Sequence, residues 1–231
     1  MFDHWPWYVL LMAFVNWVAV ERKWKWVEYI AKPGTMLLLF LWVGLNAGLG
    51  GAMLWFIIGG ILCLFGDVFL MLPGNFFIPG LVSFLLGHVF YIIGLNSDAL
   101  DLRWQSVVFL LGIAATSYFL YEQLASAMDA KGQQSFKRPV LVYVLVISLM
   151  VFSALQTGWR GSWVGFPAIL VSLGALLFYV SDAQLAWDKF VRPLPHARLR
   201  VMVTYHLGQI GIFYGALLMA TGGTNSPILP G

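Results

Sequence analysis

The chain has 231 residues, of which 61% are hydrophobic and only 10% are charged. Soluble domains carry roughly 25% charged residues, so this composition excludes a soluble enzyme, a disordered chain and a fibrous repeat. The mean hydropathy of +0.84 predicts a polytopic membrane protein. The net charge of +3 does not indicate a nucleic-acid partner, because the basic residues are scattered among loops and form no stripe.

Eight apolar runs follow one another along the chain, each close to the roughly 20 residues that a membrane-spanning helix needs. The predicted spans are 5–20, 34–49, 51–71, 76–96, 104–122, 139–157, 163–183 and 200–221. The runs are apolar on all sides rather than alternating, which favours helices over the strands of a β-barrel. We therefore predict an all-α membrane protein whose residues 1–231 form a single transmembrane domain of eight helices.

The basic residues lie almost entirely on one side of this predicted bundle. Eleven of the 13 Lys and Arg residues fall in the odd-numbered loops between spans. Cytoplasmic loops carry an excess of Lys and Arg, so the odd loops should be cytoplasmic and both termini should lie outside. We expect a multi-pass protein of a bacterial inner membrane with this orientation.

Two aspartates lie inside predicted spans, Asp67 in span three and Asp182 in span seven. A carboxylate at the centre of a membrane helix costs about 2.5–3.5 kcal/mol, so such residues are rare and informative. Both spans run from outside to inside, and both aspartates come near the inner end. We predict that they share a polar cavity open to the cytoplasmic leaflet. The alternative is that each is an interfacial residue that reaches water.

The surroundings of the two aspartates resemble each other. Each aspartate stands in the pattern small-Asp-x-x-Leu, and each is followed by a returning helix with a histidine, His88 or His206. Four helices separate the two copies, so both would have the same topology. A weak parallel 4+4 repeat with a site between its halves is therefore a hypothesis.

Polar residues on spans two, four and eight are candidates for the same cavity. On spans four and eight they recur at three- or four-residue spacing, which places them on one helix face. Each could instead be packed in the core. The lysine, with Pro33 at the predicted start of span two, could reach lipid headgroups or bind a phosphate. The candidate pocket residues are Lys32, His88, Tyr91, Tyr205, His206 and Gln209.

Three Gly-x-x-x-Gly spacings occur in the chain, at Gly44, Gly161 and Gly211. Such a spacing lets two helices approach closely. We expect these glycines to serve packing within the bundle, with a homodimer interface as the alternative.

The order of these motifs resembles the YhhN-type lysoplasmalogenase family. The matching segments are Gly66-Asp67 with Leu70, residues 80–91 through His88 and Tyr91, Ser181-Asp182 with Leu185 and Phe190, and Tyr205 with Gln209. Lys32-Pro33 also fits the second helix of the family, and the resemblance covers about residues 30–220. His206, beside the motif tyrosine, is not among the matched positions.

This resemblance implies an eight-helix membrane hydrolase that acts on a lysophospholipid in the bilayer. Such enzymes cleave the vinyl ether bond of lysoplasmalogens to a fatty aldehyde and glycerophosphoethanolamine or glycerophosphocholine. The resemblance implies that Asp67 and Asp182 are the catalytic residues. The surrounding shell would be His88, Tyr91, Tyr205 and Gln209, and the phosphate would meet a cytoplasmic cation such as Lys32.

Two carboxyls in one pocket suit this chemistry. Vinyl ether hydrolysis begins with protonation of an alkene carbon, which leaves an oxocarbenium-like cation. Water then adds, and the hemiacetal collapses to an aldehyde. One carboxyl can supply the proton while the other, ionised, stabilises the cation, because two neighbouring carboxyls do not easily ionise together; glycosidases use a similar pair. The apolar flanks of Asp67 favour it as the acid.

Two other functions stay open from the sequence alone. A small transporter or proton-coupled carrier also has Asp and His inside the membrane. A metal-dependent lipid amidase or esterase would need a metal site, for which only His88, His206 and the two aspartates are available. Zinc hydrolases usually use three protein ligands. We expect neither a metal nor another cofactor.

Overall fold

The computed structural model describes residues 5–98, 101–163 and 165–222, and within these ranges the chain is helical with no strand. The helices are α1 Trp5–Arg22, α2 Lys25–Ala47, α3 Gly51–Met71, α4 Phe77–Leu95, α5 Trp104–Ala130, α6 Lys137–Gln156, α7 Phe166–Ala186 and α8 Ala197–Ala220. A π-helical segment, Trp187–Val191, continues α7 directly. The predicted all-α class with eight helices is confirmed.

Among the residues described, α2 to α8 are long and apolar enough to cross a membrane, by length and composition. α1 has 18 residues, ends in Glu21 and Arg22, and packs against α2 and α8. The multi-pass character is therefore confirmed, and a membrane crossing by α1 stays a prediction. The seven longer helices run without a break in their middle, unlike the interrupted helices typical of many transporters.

The largest differences from the predicted bounds lie at α2 and α5. α2 begins at Lys25 and contains Pro33, so the prediction that Lys32-Pro33 marks the start of this helix is wrong. A proline removes one backbone hydrogen bond, but burial of Ala31, Lys32 and Thr35 against the bundle stabilises this turn. α5 extends beyond residue 122 to Ala130, because its last turns are rich in good helix formers such as Glu, Gln, Leu, Met and Ala.

Glycines bring two antiparallel helix pairs, α3–α4 and α7–α8, into backbone contact. A Cβ atom on Gly59 would lie 2.8 Å from the carbonyl oxygen of Gly87, and one on Gly211 would lie 2.9 Å from the Cα atom of Gly174. Small residues at such crossings let two backbones approach within van der Waals distance. The Gly211 to Gly215 spacing therefore serves packing within the bundle, as predicted. The prediction is wrong for the spacings at Gly44 and Gly161, since a Cβ atom on Gly48, Gly161 or Gly165 would meet no atom within 4 Å.

α5 stands at the edge of the bundle. It packs mainly on α6 and on the π-helical segment, over a small apolar cluster of Leu124, Met128, Val140, Val144 and Phe190. Only 11% of the most apolar 18-residue stretch of α5 is buried inside the bundle, the smallest share among the seven spanning helices. The larger core is shared by the other helices.

Candidate active site

A cavity of about 330 Å³ lies at the end of the bundle that carries the odd-numbered loops. α3 and α7 end there, and α2 and α8 begin there. Both aspartates line this cavity, together with Lys32 and Tyr205. Each aspartate lies four residues before the last residue of its helix, so the structure brings two distant carboxyls to one depth and into one space.

Asp67 is held in a buried ion pair. The side chain is 2% exposed, and its Oδ1 atom lies 3.0 Å from Nζ of Lys32, which is also buried. Its Oδ2 atom is buried without a hydrogen-bond partner, and the Tyr205 hydroxyl is next to this carboxyl. Lys32 reaches Asp67 because α2 starts early and turns this lysine inward, so the ammonium compensates the carboxylate charge instead of reaching the headgroups.

Asp182 has different partners. Its Oδ2 atom accepts a hydrogen bond from the Tyr143 hydroxyl and lies 3.4 Å from Nε2 of His88. The same His88 nitrogen lies 3.0 Å from the Tyr143 hydroxyl oxygen, so the three groups form a compact triangle. Tyr143 is not among the site residues predicted from the sequence. Its only signal there was a hydroxyl inside an otherwise apolar run.

Two further candidates, Tyr91 and Gln209, lie behind the wall of the cavity. The Tyr91 hydroxyl donates to Oε1 of Gln209 at 2.7 Å, and Nε2 of Gln209 lies 3.4 Å from the Tyr205 hydroxyl oxygen. Tyr91 and Gln209 are fully buried in the core, and only Tyr205 of this chain of contacts lines the cavity. Tyr91 and Gln209 are therefore positioning residues for the Tyr205 hydroxyl.

The structure does not bring His206 into the cavity. Its ring is fully buried and faces α1, where Nδ1 accepts a hydrogen bond of 3.0 Å from the Trp17 indole. Neighbouring residues on a helix point about 100° apart, so the orientation that places Tyr205 in the cavity turns His206 away. Across the residues that the structure describes, no group of three or more His, Cys, Asp or Glu side chains is placed to hold a metal ion.

The cavity lining also carries further charged side chains of both signs, the cations Lys25 and Arg198 and the carboxylates Glu28 and Asp188. The side chains of both cations are exposed. Nη2 of Arg198 also lies 2.6 Å from Oε1 of the buried Glu28, which anchors the guanidinium at the cavity wall.

Asp182 also borders a second space, which we call the crevice. It measures about 40 Å³, lies between α4, α5, α6 and α7, and is lined almost entirely by apolar side chains. Leu70, Phe84 and Leu185 line both the cavity and the crevice, as Asp182 does. Asp182 therefore stands at the boundary between a polar and an apolar compartment.

Comparison with known proteins identifies the family of this chain. The model of the YhhN family matches residues 27–216. The chain belongs to the YhhN family. The match contains both aspartates, Lys32 and Tyr205, which line the cavity, and the Tyr143 that sequence analysis missed.

Several relatives are similar to the chain over most of its length. The mouse protein named lysoplasmalogenase TMEM86B is 31% identical over 209 residues, which cover 89% of this chain and 82% of the mouse protein. The human protein of the same name is 32% identical over 207 residues, or 88% and 81% of the two chains. The uncharacterized membrane protein YhhN of Escherichia coli O157:H7 is 23% identical over 181 residues, or 76% and 82%. No solved structure matches the chain.

Proposed function

We propose that this chain is a lysoplasmalogenase, which hydrolyses the vinyl ether bond of a lysoplasmalogen to a fatty aldehyde and a glycerophospho-base. The relatives named lysoplasmalogenase, at about 30% identity over most of the chain, support this activity. The structural observation that carries the proposal is that Asp67 and Asp182 line one cavity. A proton donor and an anion within one space are what protonation of an enol ether requires.

In this proposal Asp182 is the acid and Asp67 is the anion. Lys32, 3.0 Å from Asp67, favours a charged carboxylate at that position. Asp182 instead faces a phenol and an imidazole and borders the apolar crevice. Since two carboxyls in one space do not easily ionise together, we assign the acid role to the carboxyl without the lysine. This assignment differs from the preference for Asp67 as the acid, which rested on the apolar flanks of that residue in the sequence.

The first step forms a carbon–hydrogen bond. Asp182 gives its proton to the outer alkene carbon, the electron pair of the double bond forms the new bond, and the positive charge is shared by the inner carbon and the ether oxygen. The Asp67 carboxylate stabilises this cation. Tyr143 and His88 stabilise the Asp182 carboxylate that results.

The next steps consume one water and restore both carboxyls. The water oxygen bonds to the cationic carbon while Asp67 takes the water proton, which gives a hemiacetal. The bond between this carbon and the glycerol oxygen then breaks, and the glycerol oxygen takes the proton from Asp67. The remaining hydroxyl returns its proton to Asp182 as the aldehyde carbonyl forms.

We also propose that the substrate enters from the cytoplasmic leaflet. The cavity opens at the end that carries the odd loops, where the basic residues are concentrated, and an excess of Lys and Arg is typical of cytoplasmic loops. The phosphate would meet Lys25 and Arg198, the exposed cations of the cavity lining. Lys32 is already paired with Asp67 and is not assigned to the phosphate.

Product analysis tests the activity directly. Purified protein is incubated with a lysoplasmalogen or with the matching saturated lyso-ether lipid, and products are identified by mass spectrometry. We expect a fatty aldehyde and the glycerophospho-base from the vinyl ether only, since a saturated ether has no double bond to protonate. No aldehyde from the vinyl ether, or equal cleavage of the saturated lipid, would contradict the proposal.

A further inference from the structure

A third space adjoins the crevice on its lipid side. This groove measures about 380 Å³, lies between α5 and α6, and is lined mainly by apolar side chains. Leu110, Tyr118 and Leu145 are among those that are more than half exposed on the outer surface of the bundle. Val144 lines both the groove and the crevice, so the two spaces are direct neighbours. The cavity, the crevice and the groove therefore follow one another from Asp182 to the lipid-facing surface.

A small network of hydroxyl groups lies between the crevice and the groove. Oγ of Ser117 lies 2.7 Å from Oγ of Ser148 and 2.9 Å from the hydroxyl oxygen of Tyr179. The two serines line the groove, and Tyr179 lines the crevice. These hydroxyls join α5 to α6 and α7 within the membrane.

The geometry points to a path for the hydrocarbon chain of the substrate. We propose that the alkenyl chain runs from Asp182 through the crevice and past Val144 into the α5–α6 groove, and that the fatty aldehyde leaves through the groove into the bilayer. This inference rests on the proposed function. Because the vinyl ether joins the polar glycerol to the hydrocarbon, a bond placed at Asp182 leaves the chain on the apolar side.

The other direction is unfavourable for a hydrocarbon chain. Toward the cavity, the walls carry Glu28, the Lys32–Asp67 pair and Arg198, whose solvation a methylene chain would disturb without replacing it. Toward the groove the walls are mainly apolar, so a hydrocarbon chain there stays out of water, as it does in the bilayer. The crevice is by far the smallest of the three spaces, so on this path Val144 and Tyr179, which line it, would limit which chains can pass.

Chain-length preference tests this path. Val144→Phe narrows the passage, and Val142→Phe adds the same ring two residues earlier on α6, where the side chain is half exposed and faces away. We expect Val144→Phe to lower the kcat/KM ratio of a hexadecenyl over an octenyl lysoplasmalogen by about tenfold or more, and Val142→Phe to leave it unchanged. The ratio is independent of the amount of folded protein, so an unchanged ratio in Val144→Phe overturns the proposal.

Photolabelling tests the same path without turnover. A saturated lyso-ether lipid with a terminal diazirine is bound to the wild-type protein and irradiated, and labelled peptides are mapped by mass spectrometry. We expect labels on α5 and α6 at the groove that an excess of unlabelled lyso-ether removes. Labels spread evenly over lipid-facing helices, or insensitive to the competitor, overturn the path. Because this lipid is not cleaved, the outcome is independent of the aldehyde assay, which alone decides the proposed function.

Discussion

The two aspartates occupy corresponding places in the two halves of the chain, and each receives its partners in the same way. The helix before it supplies the first partner, which is Lys32 on α2 for Asp67 and Tyr143 on α6 for Asp182. The last helix of the other half supplies a second neighbour, which is Tyr205 on α8 beside Asp67 and His88 on α4 beside Asp182. This crosswise arrangement supports the hypothesis of a parallel repeat with its site between the halves.

The difference between the halves lies in the chemistry of the first partner. In the first half it is a buried ammonium, and in the second half it is a phenol. The carboxyl beside the ammonium is 2% exposed, and the carboxyl beside the phenol is 12% exposed and borders an apolar space. The two carboxyls line the same cavity, and the charge of the first partner is what distinguishes them.

Removal of either carboxyl should have the largest effect on activity. We expect Asp182→Asn and Asp67→Asn each to lower aldehyde release by about 10²- to 10⁴-fold, because an amide can be neither the acid nor the anion. Asp129→Asn is the matched control, since Asp129 is exposed and pairs with Lys137 outside the site. Near wild-type aldehyde release by either Asp182→Asn or Asp67→Asn would contradict the two-carboxyl mechanism.

The two first partners, Lys32 and Tyr143, should differ in how much each contributes to the free energy of unfolding. Lys32→Met leaves the carboxylate of Asp67 buried without compensation, which should destabilise the protein by about 3–5 kcal/mol. Tyr143→Phe should cost only about 1 kcal/mol. Thermal unfolding in detergent micelles measures both.

A double variant separates the ion pair from other effects of the lysine. Lys32→Met combined with Asp67→Asn should recover most of the lost stability and none of the activity, since neither charge is left unpaired. If Lys32→Met unfolds at the wild-type temperature, the buried ion pair does not stabilise the protein. The stability difference that we expect between the Lys32 and Tyr143 variants would then be absent.

The phenol of the second half should matter more for rate than for stability. When Asp182 gives up its proton, its hydrogen bond from Tyr143 becomes a bond to a charged group, which is worth about 1.5–3 kcal/mol. The same substitution also loses the neutral bond of about 1 kcal/mol before the proton moves, so Tyr143→Phe should lower kcat by about 2- to 30-fold in the aldehyde assay. Tyr8→Phe, on the exposed surface of α1 and away from all three spaces, is the control, and an equal effect of both substitutions would argue against a role for Tyr143.

The smallest expected difference concerns the glycine contacts that hold the two helix pairs. A Cβ atom on Gly174 would lie 2.6 Å from the backbone nitrogen of Ile212, whereas one on Gly66 would meet the ring of Phe84, which can shift. Gly174→Ala should thus destabilise the protein by about 1–3 kcal/mol, and Gly66→Ala by less. Gly112→Ala, with open space around it, should be neutral or slightly stabilising. If Gly66→Ala lowers the unfolding temperature more than Gly174→Ala does, this prediction is contradicted.

Composition and hydrophobic runs alone determined the helical membrane fold. A long apolar segment in a bilayer must satisfy its backbone hydrogen bonds internally, and a helix does this within the segment. The depth of Asp67 and Asp182 was also readable, because a helix rises 1.5 Å per residue and both residues lie near the end of their runs. Their shared cavity followed from depth and from the small-Asp-x-x-Leu pattern.

Only the tertiary structure decided what each carboxyl contacts. Helices that are apolar on all sides carry no periodic signal for the face that turns inward, so Tyr143 could not be distinguished from a packing residue, and His206 could not be seen to face α1. The early start of α2 was hidden because Pro33 reads locally as a helix boundary, whereas packing against the bundle overrides that preference. Rotation about a helix axis and the choice of neighbours depend on contacts between distant segments, and these contacts place the ammonium at Asp67 and the phenol at Asp182.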